Sequence, residues 1–232
     1  MEQLFNGFTL ELSDGAFPLT TDSVSLAEFI KLPRNARVLD LGSGCGTLGL
    51  MLCAADPHCK VTGLEIDPQA HETALHNISV NGLSPRLTSI CGDIGLVSET
   101  IEAGSYSCCI SNPPYFCAGP ESRTVPTARR EDLCSMEMLV RSAEWALKFG
   151  GYFYLVHRPE RLAQLIACGA QYGLQAKRLR LLRHRQDGPV SLILIQLRKG
   201  AKPGLMWEEV YLRNADGSPS DYYRALYHFE ED

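Results

Sequence analysis

The sequence predicts an α/β fold built on a mostly parallel seven-stranded sheet that ends in an antiparallel hairpin. Short apolar runs alternate with longer helix-like segments over most of the chain, a pattern typical of a parallel sheet covered by helices on both faces. Near the end, two long β-like runs, 175–184 and 190–199, flank a turn-forming segment and are therefore expected to pair antiparallel. A chain of 232 residues, 45% of them hydrophobic, is long enough to bury a sizeable core.

The elements follow in order from the N-terminus. Residues 8–12 and 16–20 flank Ser13-Asp14-Gly15, which predicts a short hairpin, and a helix is expected from Thr21 or Asp22 to Phe29. The strands expected before the final hairpin are 37–41, 60–66, 87–91, 106–111 and 152–157. The helix-like segments between them include 47–55, 68–80 and 135–149.

A single domain of three parts is the expected organisation. Residues 1–36 supply the hairpin and first helix, 37–200 form the core, and 201–232 add a small strand-turn-helix extension around Asp216-Gly217. The sequence contains no internal repeat and no long linker.

The composition excludes several classes of protein. Nine cysteines without a C-x-x-C pair favour neither a disulfide framework nor a zinc site, and the six histidines have no metal-ligand spacing, so we expect no metal. No apolar run reaches the roughly 18 residues of a membrane span, and the first residues do not resemble a signal peptide. The expected location is the cytoplasm, with no membrane partner.

Charge is unevenly distributed along the chain. The formal net charge is −5, but residues 1–111 carry 5 basic against 13 acidic side chains, whereas residues 112–232 carry 17 against 14. The segment 177–202 holds eight lysines and arginines and one acid, Asp187. A local basic strip of this kind can bind phosphates on one face of an acidic protein, or it can be the solvated face of an edge strand.

A glycine-rich turn follows the first predicted strand of the core. Gly42, Gly44 and Gly46 stand between that strand and the next helix, where a backbone that turns tightly against a ligand leaves no room for a Cβ. Such a loop can serve NAD, FAD or S-adenosylmethionine (SAM), or be only a tight turn. Asp40, two residues before the first glycine, favours SAM, because an acid there can meet the cationic amino group of a methionine moiety.

The ends of the next two strands complete a predicted nucleoside site. Glu65, 23 residues after Gly42, can accept hydrogen bonds from both ribose hydroxyls. Asp93, which ends the third strand of the core, can accept from an adenine amine, and Ile66 and Ile94 are expected to flank the adenine ring.

The segment Asn112-Pro113-Pro114-Tyr115-Phe116 after the fourth strand predicts the chemistry. An aromatic amine is a weak nucleophile because its lone pair is delocalised into the ring. The side-chain carbonyl of Asn112 and the backbone carbonyl of Pro113 can each accept one amine hydrogen, which frees the lone pair for attack on a sulfonium methyl. Tyr115, with Phe116, can stack on a planar base, a contact worth about 1–3 kcal/mol.

These motifs, in this order, resemble the Rossmann-like class I methyltransferases that modify amino groups of nucleic acids and of protein glutamine. Four further segments are similar to the bacterial tRNA(Val) adenine-N6 methyltransferase family, and the resemblance spans about residues 8–226. They are Thr20-Thr21-Asp22-Ser23, Ala128-Arg129-Arg130-Glu131, Arg158-Pro159-Glu160-Arg161-Leu162 and Lys177-Arg178-Leu179-Arg180. Arg130 departs from the family pattern, which has histidine there, and this puts the acceptor-loop role of that position in doubt.

The resemblance implies a SAM-dependent enzyme that methylates N6 of an adenine in RNA, favouring tRNA near the anticodon. It implies that Asp22 helps to close the cofactor pocket and that Asn112 borders both cofactor and acceptor. The implied contacts with RNA phosphates are Arg129, Lys177, Arg178 and Arg180.

Other interpretations remain at this point. A protein glutamine methyltransferase uses the same Asn-Pro-Pro-Tyr chemistry, but usually carries an extra helical domain, for which the 36 residues before Arg37 are too few. A DNA adenine methyltransferase more often has Asp at the position of Asn112 and needs a target-recognition domain. An rRNA guanine-N2 methyltransferase and a non-catalytic protein that binds SAM and RNA are the remaining alternatives.

Overall fold

The described part of the chain, residues 2–4, 7–13, 20–113 and 136–227 of a computed structural model, folds around one large mixed sheet. The strands are β1 (Glu2–Gln3), β2 (Thr9–Leu10), β3 (Arg37–Leu41), β4 (Lys60–Glu65), β5 (Leu87–Cys91), β6 (Tyr106–Ser111), β7 (Leu147–His157), β8 (Leu174–Arg185), β9 (Val190–Lys199) and β10 (Met206–Arg213). The helices are α1 (Thr21–Phe29), α2 (Thr47–Ala55), α3 (Pro68–Val80), α4 (Val97–Thr100), α5 (Met136–Ala146), α6 (Leu162–Gln171) and α7 (Asp221–Tyr227).

Eight of these strands form the large sheet, in the order β10-β8-β9-β7-β6-β3-β4-β5. Neighbours from β7 to β5 are parallel, whereas β9 is antiparallel to both β7 and β8. The edge strand β10 is parallel to β8. The carboxyl ends of β3 to β8 and of β10, with β9 as the exception, therefore meet along one edge of the sheet, hereafter the carboxyl edge.

Side chains of successive strand residues point to opposite faces of the sheet and build two apolar clusters. On one face Val38, Ile110 and Tyr154 pack with α1, α2 and α7. On the other face Leu39 and Phe153 pack with α5 and α6. The strands are almost continuously apolar because both faces are covered.

Local signals explain where the helices beside the site begin. The Asp67 side chain accepts a hydrogen bond from the Gln69 backbone N–H at 2.9 Å, and Pro68 occupies the first helical position of α3. Gly46 precedes α2 with a φ of 87°, a left-handed conformation that favours glycine. α2 and α3 therefore begin a few residues after the carboxyl ends of β3 and β4.

The α/β class and the mostly parallel sheet with antiparallel C-terminal strands are confirmed, but the sheet has one strand more than the seven predicted. The extra strand is β10, which belongs to the expected C-terminal strand-turn-helix piece and pairs with β8 from Met206↔Arg178 to Arg213↔Arg185. Its first four residues are exposed, so they lack the alternation that marks a half-buried strand.

Two local expectations also differ from the structure. Thr9–Leu10 pairs with Glu2–Gln3, while most of the arm expected at 16–20 lies outside the described residues. α5 ends at Ala146 and β7 begins at Leu147, so the strand starts five residues before the expected 152. Residues 147–149 were expected to end the helix-like segment 135–149 but instead begin β7, and Gly150, with a φ of 79°, lies inside this early part of the strand.

Candidate functional site

The predicted cofactor and acceptor residues lie together along the carboxyl edge. Register pairs place Leu41 beside Leu64, Glu65 beside Cys91 and Ser111 beside Leu155. The parallel strands β3, β4, β5 and β6 therefore end at nearly the same level. Ligands of open α/β sheets bind outside such carboxyl ends, at the point where the strand order reverses. Here that point lies between β3 and β6, because β4 follows β3 on one side and β6 adjoins it on the other.

The glycine-rich turn has the backbone that its sequence requires. Gly42, Gly44 and Gly46 have φ values of 74°, 54° and 87°. The N–H groups of Gly42 and Ser43 donate to the Leu64 carbonyl at 2.9 and 3.2 Å, which fixes the turn to β4. A Cβ on Gly44 would meet no atom of the described residues within 4 Å, so these residues leave space beside the loop for a ligand.

Asp40 is the group that most directly indicates a cationic ligand. Its side chain is 1% exposed, and neither carboxylate oxygen has a hydrogen-bond partner within the described residues. Burial raises the pKa of the Asp40 carboxyl to about 8, and the nearby charge of Glu65 adds to this effect. A buried carboxylate without a partner is costly, whereas a bound ammonium would compensate it. The residues therefore fit the methionine end of SAM.

Glu65 is held by the backbone around it. One carboxylate oxygen accepts from the Gly44 N–H at 2.7 Å, and the other accepts from the Asp67 N–H at 2.9 Å. Each oxygen keeps a second lone pair, so a rigid carboxylate faces the end of β4 with acceptor capacity left. The predicted contact with ribose hydroxyls is compatible with this geometry and remains a prediction.

The predicted adenine-binding residues lie at the ends of β4 and β5. One oxygen of Asp93 accepts from the Gly95 N–H at 2.7 Å and caps a short 3-10 helix, Ile94–Leu96. Ile94 is nearly buried, with its Cδ1 3.8 Å from the place of a Cβ on Gly42, while Ile66 is 43% exposed. An exposed isoleucine at this position leaves an apolar surface for a ring, and the contacts with adenine remain predictions.

Asn112 and Pro113 follow the last residue of β6 directly and lie at the carboxyl edge. The Asn112 Nδ2 donates to the Ser23 Oγ at 2.9 Å, and the preceding Ser111 Oγ donates to the Leu41 carbonyl at 2.7 Å. Asn112 is half-buried and Pro113 is buried. Tyr115, Phe116 and Arg129, which the sequence assigned to the acceptor and to RNA, lie outside the described residues.

Ser23 is the contact that reasoning from sequence did not single out. It lies in the first turn of α1, next to Asp22, which is half-buried there. The segment 20–23 resembled the family, but nothing in it pointed to Asn112, which follows 89 residues later. α1 thus brings both the predicted pocket residue Asp22 and Ser23 to the carboxyl end of β6.

The β8 residues that were predicted to contact RNA make contacts within the protein. The Arg180 guanidinium is 7% exposed and forms ion pairs with Glu28 on α1 and, at 2.8 Å, with Glu208 on β10. The Arg178 guanidinium carbon lies 4.4 Å from the centre of the Phe29 ring. These two arginines have partners inside the protein, and phosphate contacts are not needed to explain their positions.

Lys177 is the fourth residue of β8, near its amino end, and its Nζ donates to the Lys202 carbonyl at 3.2 Å. Because β8 runs in the same direction as β6, its amino end is at the opposite edge of the sheet from Asn112. Contacts of Lys177, Arg178 and Arg180 with RNA remain a prediction. Within the described residues, no contact joins these three side chains to Asn112 or Pro113.

The described residues contain neither a metal-binding cluster nor a membrane-spanning helix. Among residues 2–4, 7–13, 20–113 and 136–227, no group of three His, Cys, Asp or Glu side chains is arranged to hold a metal ion. No helix in the same ranges is long and apolar enough to cross a membrane.

Comparisons with known proteins agree with this arrangement. The family model described as the methyltransferase small domain matches residues 19–166. A tRNA1(Val) (adenine(37)-N6)-methyltransferase of Photobacterium profundum is 30% identical over 229 residues, which covers 95% of each chain. A relative of the same name from Bacteroides fragilis is 31% identical over 197 residues, covering 82% of this chain and 81% of the relative.

Solved structures show the same fold. The crystal structure of a predicted O-methyltransferase from Agrobacterium tumefaciens superposes with a TM-score of 0.75 at 21% identity, covering 90% of this chain and 96% of the other. A geranyl diphosphate methyltransferase in complex with SAM gives a TM-score of 0.56 at 12% identity, covering 76% and 84%.

Proposed function

Because the chain belongs to the methyltransferase small domain family and is a SAM-dependent methyltransferase, we propose that it methylates N6 of an adenine in tRNA. The observation that carries the proposal is the position of Asn112-Pro113, at the carboxyl end of β6 and beside the strand that holds Asp40, whose carboxyl has no hydrogen-bond partner among the described residues. The relatives that match nearly the whole chain are named for adenine 37 of a valine tRNA, which favours an adenine near the anticodon.

Three strand ends hold the cofactor in this proposal. Asp40 binds the ammonium of its methionine moiety, and Glu65, fixed by the Gly44 and Asp67 N–H groups, accepts from the ribose hydroxyls. Asp93 accepts from the adenine amine, with Ile66 and Ile94 on the two sides of the ring. SAM supplies an electrophilic methyl group on a sulfonium, so the donor needs no further activation.

The chain's remaining task is to orient the target amine. The Asn112 side-chain oxygen and the Pro113 carbonyl accept the two N6 hydrogens, which localises the nitrogen lone pair and aims it at the methyl group. Positioning of this kind can supply most of the rate, so no strong base is required. Transfer forms the N–CH3 bond as the S–CH3 bond breaks and gives S-adenosylhomocysteine, and the cationic methylated amine then loses one N6 proton to water.

The target adenine must leave its stack to reach Asn112. Enzymes that act on a base take it out of the helix or loop and stack it on aromatic side chains. We propose Tyr115 and Phe116 for this stacking, since they follow Pro113 directly in the sequence. The enzyme would act where tRNA is modified, in the cytoplasm.

We further propose that residues 1–232 act as one methyltransferase domain. The supporting contacts are those of the C-terminal extension, because β10 pairs with β8 and the Tyr227 hydroxyl of α7 lies 3.1 Å from Thr21 Oγ1 on α1. The extension is therefore continuous with the sheet and with the helix beside the acceptor site.

The test is methyl transfer from labelled SAM to unmodified total tRNA, with ribosomal RNA and a protein fraction as parallel substrates. We expect N6-methyladenosine in the tRNA, identified by mass spectrometry of nucleosides. Asn112→Ala should lower transfer by about a hundredfold or more, the scale expected for a lost group that stabilises a transition state. Its affinity for SAM should stay within roughly threefold of the wild type. Transfer only to ribosomal RNA or protein would overturn the substrate assignment and leave the cofactor site in place.

A further inference from the structure

The contact between Ser23 and Asn112 has a consequence for the orientation of the catalytic amide. A primary amide has a carbonyl oxygen that only accepts hydrogen bonds and an amino group that donates two. Only the oxygen can accept a hydrogen from the target amine, so an amide turned by 180° would present the wrong group. The structure has the amino group of Asn112 bound to Ser23 Oγ at 2.9 Å, which directs the carbonyl oxygen away from α1.

Ser23 is itself held firmly. Its side chain is 8% exposed in the first turn of α1, and the far end of this helix is fixed by Arg180, which pairs with Glu28. Arg178 stacks on the Phe29 ring and donates to the Phe29 carbonyl at 3.4 Å. In the observed contact the Ser23 hydroxyl oxygen accepts from the Asn112 Nδ2, and a helix fixed at its far end keeps that oxygen in place beside the amide.

We propose that Ser23 is a positioning residue, which fixes the Asn112 amide with its carbonyl oxygen toward the acceptor amine. The inference rests on the proposed function, since it assigns a purpose to the orientation of Asn112. Ser23 touches neither substrate nor the transferred methyl in this account, and it acts only through Asn112.

Ser23→Ala tests the proposal, with Ser25→Ala as a matched control. Both serines are buried on α1, and both changes favour helix formation, so the variants should fold. Ser25 follows two positions later and projects to another side of the helix, at about 200° from Ser23. Three quantities are measured: kcat with tRNA, the Kd for SAM, and the resonances of the Asn112 side-chain amide in nitrogen-15 spectra of the full chain.

For Ser23→Ala we expect kcat to fall about tenfold, the loss of one hydrogen bond, with the Kd for SAM changed less than twofold. The Asn112 amide protons should shift and exchange faster with water. Ser25→Ala should leave kcat and these resonances as in the wild type.

Unchanged kcat and unchanged Asn112 resonances in Ser23→Ala would overturn the proposal. Equal losses of kcat, SAM affinity and Tm in both variants would also overturn it, since they would indicate a general packing role. If the wild type methylates no adenine in tRNA, the proposed function fails instead. The Asn112 resonances would still report whether Ser23 orients the amide.

Discussion

At the scale of single residues, Asp40 is the buried acid near the end of β3 that we propose binds the cationic end of the cofactor. Its carboxyl is 1% exposed, and burial raises its pKa to about 8, with the charge of Glu65 contributing. Without a cation beside it, the folded protein therefore holds a neutral acid here at pH 7. A bound ammonium favours the ionised form, so binding lowers this pKa and releases the proton.

We therefore predict that SAM binding at pH 7 releases close to one proton, about 0.9 for a pKa of about 8, and that affinity rises from pH 6 to pH 8. Calorimetry in two buffers of different protonation enthalpy, such as phosphate and Tris, measures the released proton directly. Asp40→Asn should bind SAM more weakly and release no proton. Identical heats in both buffers for the wild type would contradict this role of Asp40.

The residues of the proposed cofactor site could be chosen from sequence, but the hydrogen bonds that hold them could not. Asp40, Glu65 and Asn112 were predicted from their places at or just after the carboxyl ends of apolar strands, because these ends meet along one edge of a parallel sheet. The Ser23 contact spans 89 residues and joins a helix to a strand end, which no local pattern encodes. For a related reason the intramolecular partners of the two arginines of β8 were not foreseen, since sequence shows a charge but not its partner; their contacts with RNA stay a prediction.

At the scale of elements, α1 is fixed by the second half of the chain. Arg180 on β8 bonds Glu28 on α1 and Glu208 on β10, and its guanidinium lies 5.1 Å from the Phe29 ring centre. Arg178 and Arg180 of the basic strip thus help to hold the helix that carries Ser23.

Replacing Arg180 by Met should destabilise the protein by about 1–3 kcal/mol, a value reduced because both carboxylates are nearly half exposed. Thermal unfolding should show a Tm lower by several degrees. The matched control is Arg185→Met on the same strand, where an exposed arginine pairs with exposed Asp187 and the expected change is within about 0.5 kcal/mol. An Arg180→Met protein with wild-type Tm but weakened tRNA binding would favour the phosphate contact instead.

Prediction of the elements succeeded where apolar runs are bounded by turn-forming residues. The bounds of β3, α2, α3, β5, β6 and β9 agree with those expected from sequence. β10 could not be counted as a sheet strand in advance, because its stability comes from pairing with β8 rather than from a buried face of its own.

At the scale of the whole molecule, neighbouring strands at the carboxyl edge carry the residues proposed for the cofactor and those proposed for the acceptor. The ends of β3, β4 and β5 carry Asp40, Glu65 and Asp93, while β6 on the other side carries Asn112. The acidic half of the sequence, residues 1–111, contains the proposed cofactor residues of β3 to β5, and the net-positive half contains the proposed acceptor residues. This division places an anionic acceptor on the less acidic side.

The central claim is that Asn112 presents an adenine of tRNA to the methyl group, and one measurement tests it most directly. An unmodified valine tRNA transcript with adenine at position 37 is incubated with SAM and enzyme, beside a transcript with guanine at that position. Digestion and mass spectrometry of the fragments locate the methyl group. We predict N6-methyladenosine at position 37 of the first transcript and no methylation of the second. Methylation at another nucleotide, or none in a protein that binds SAM normally, would contradict the account.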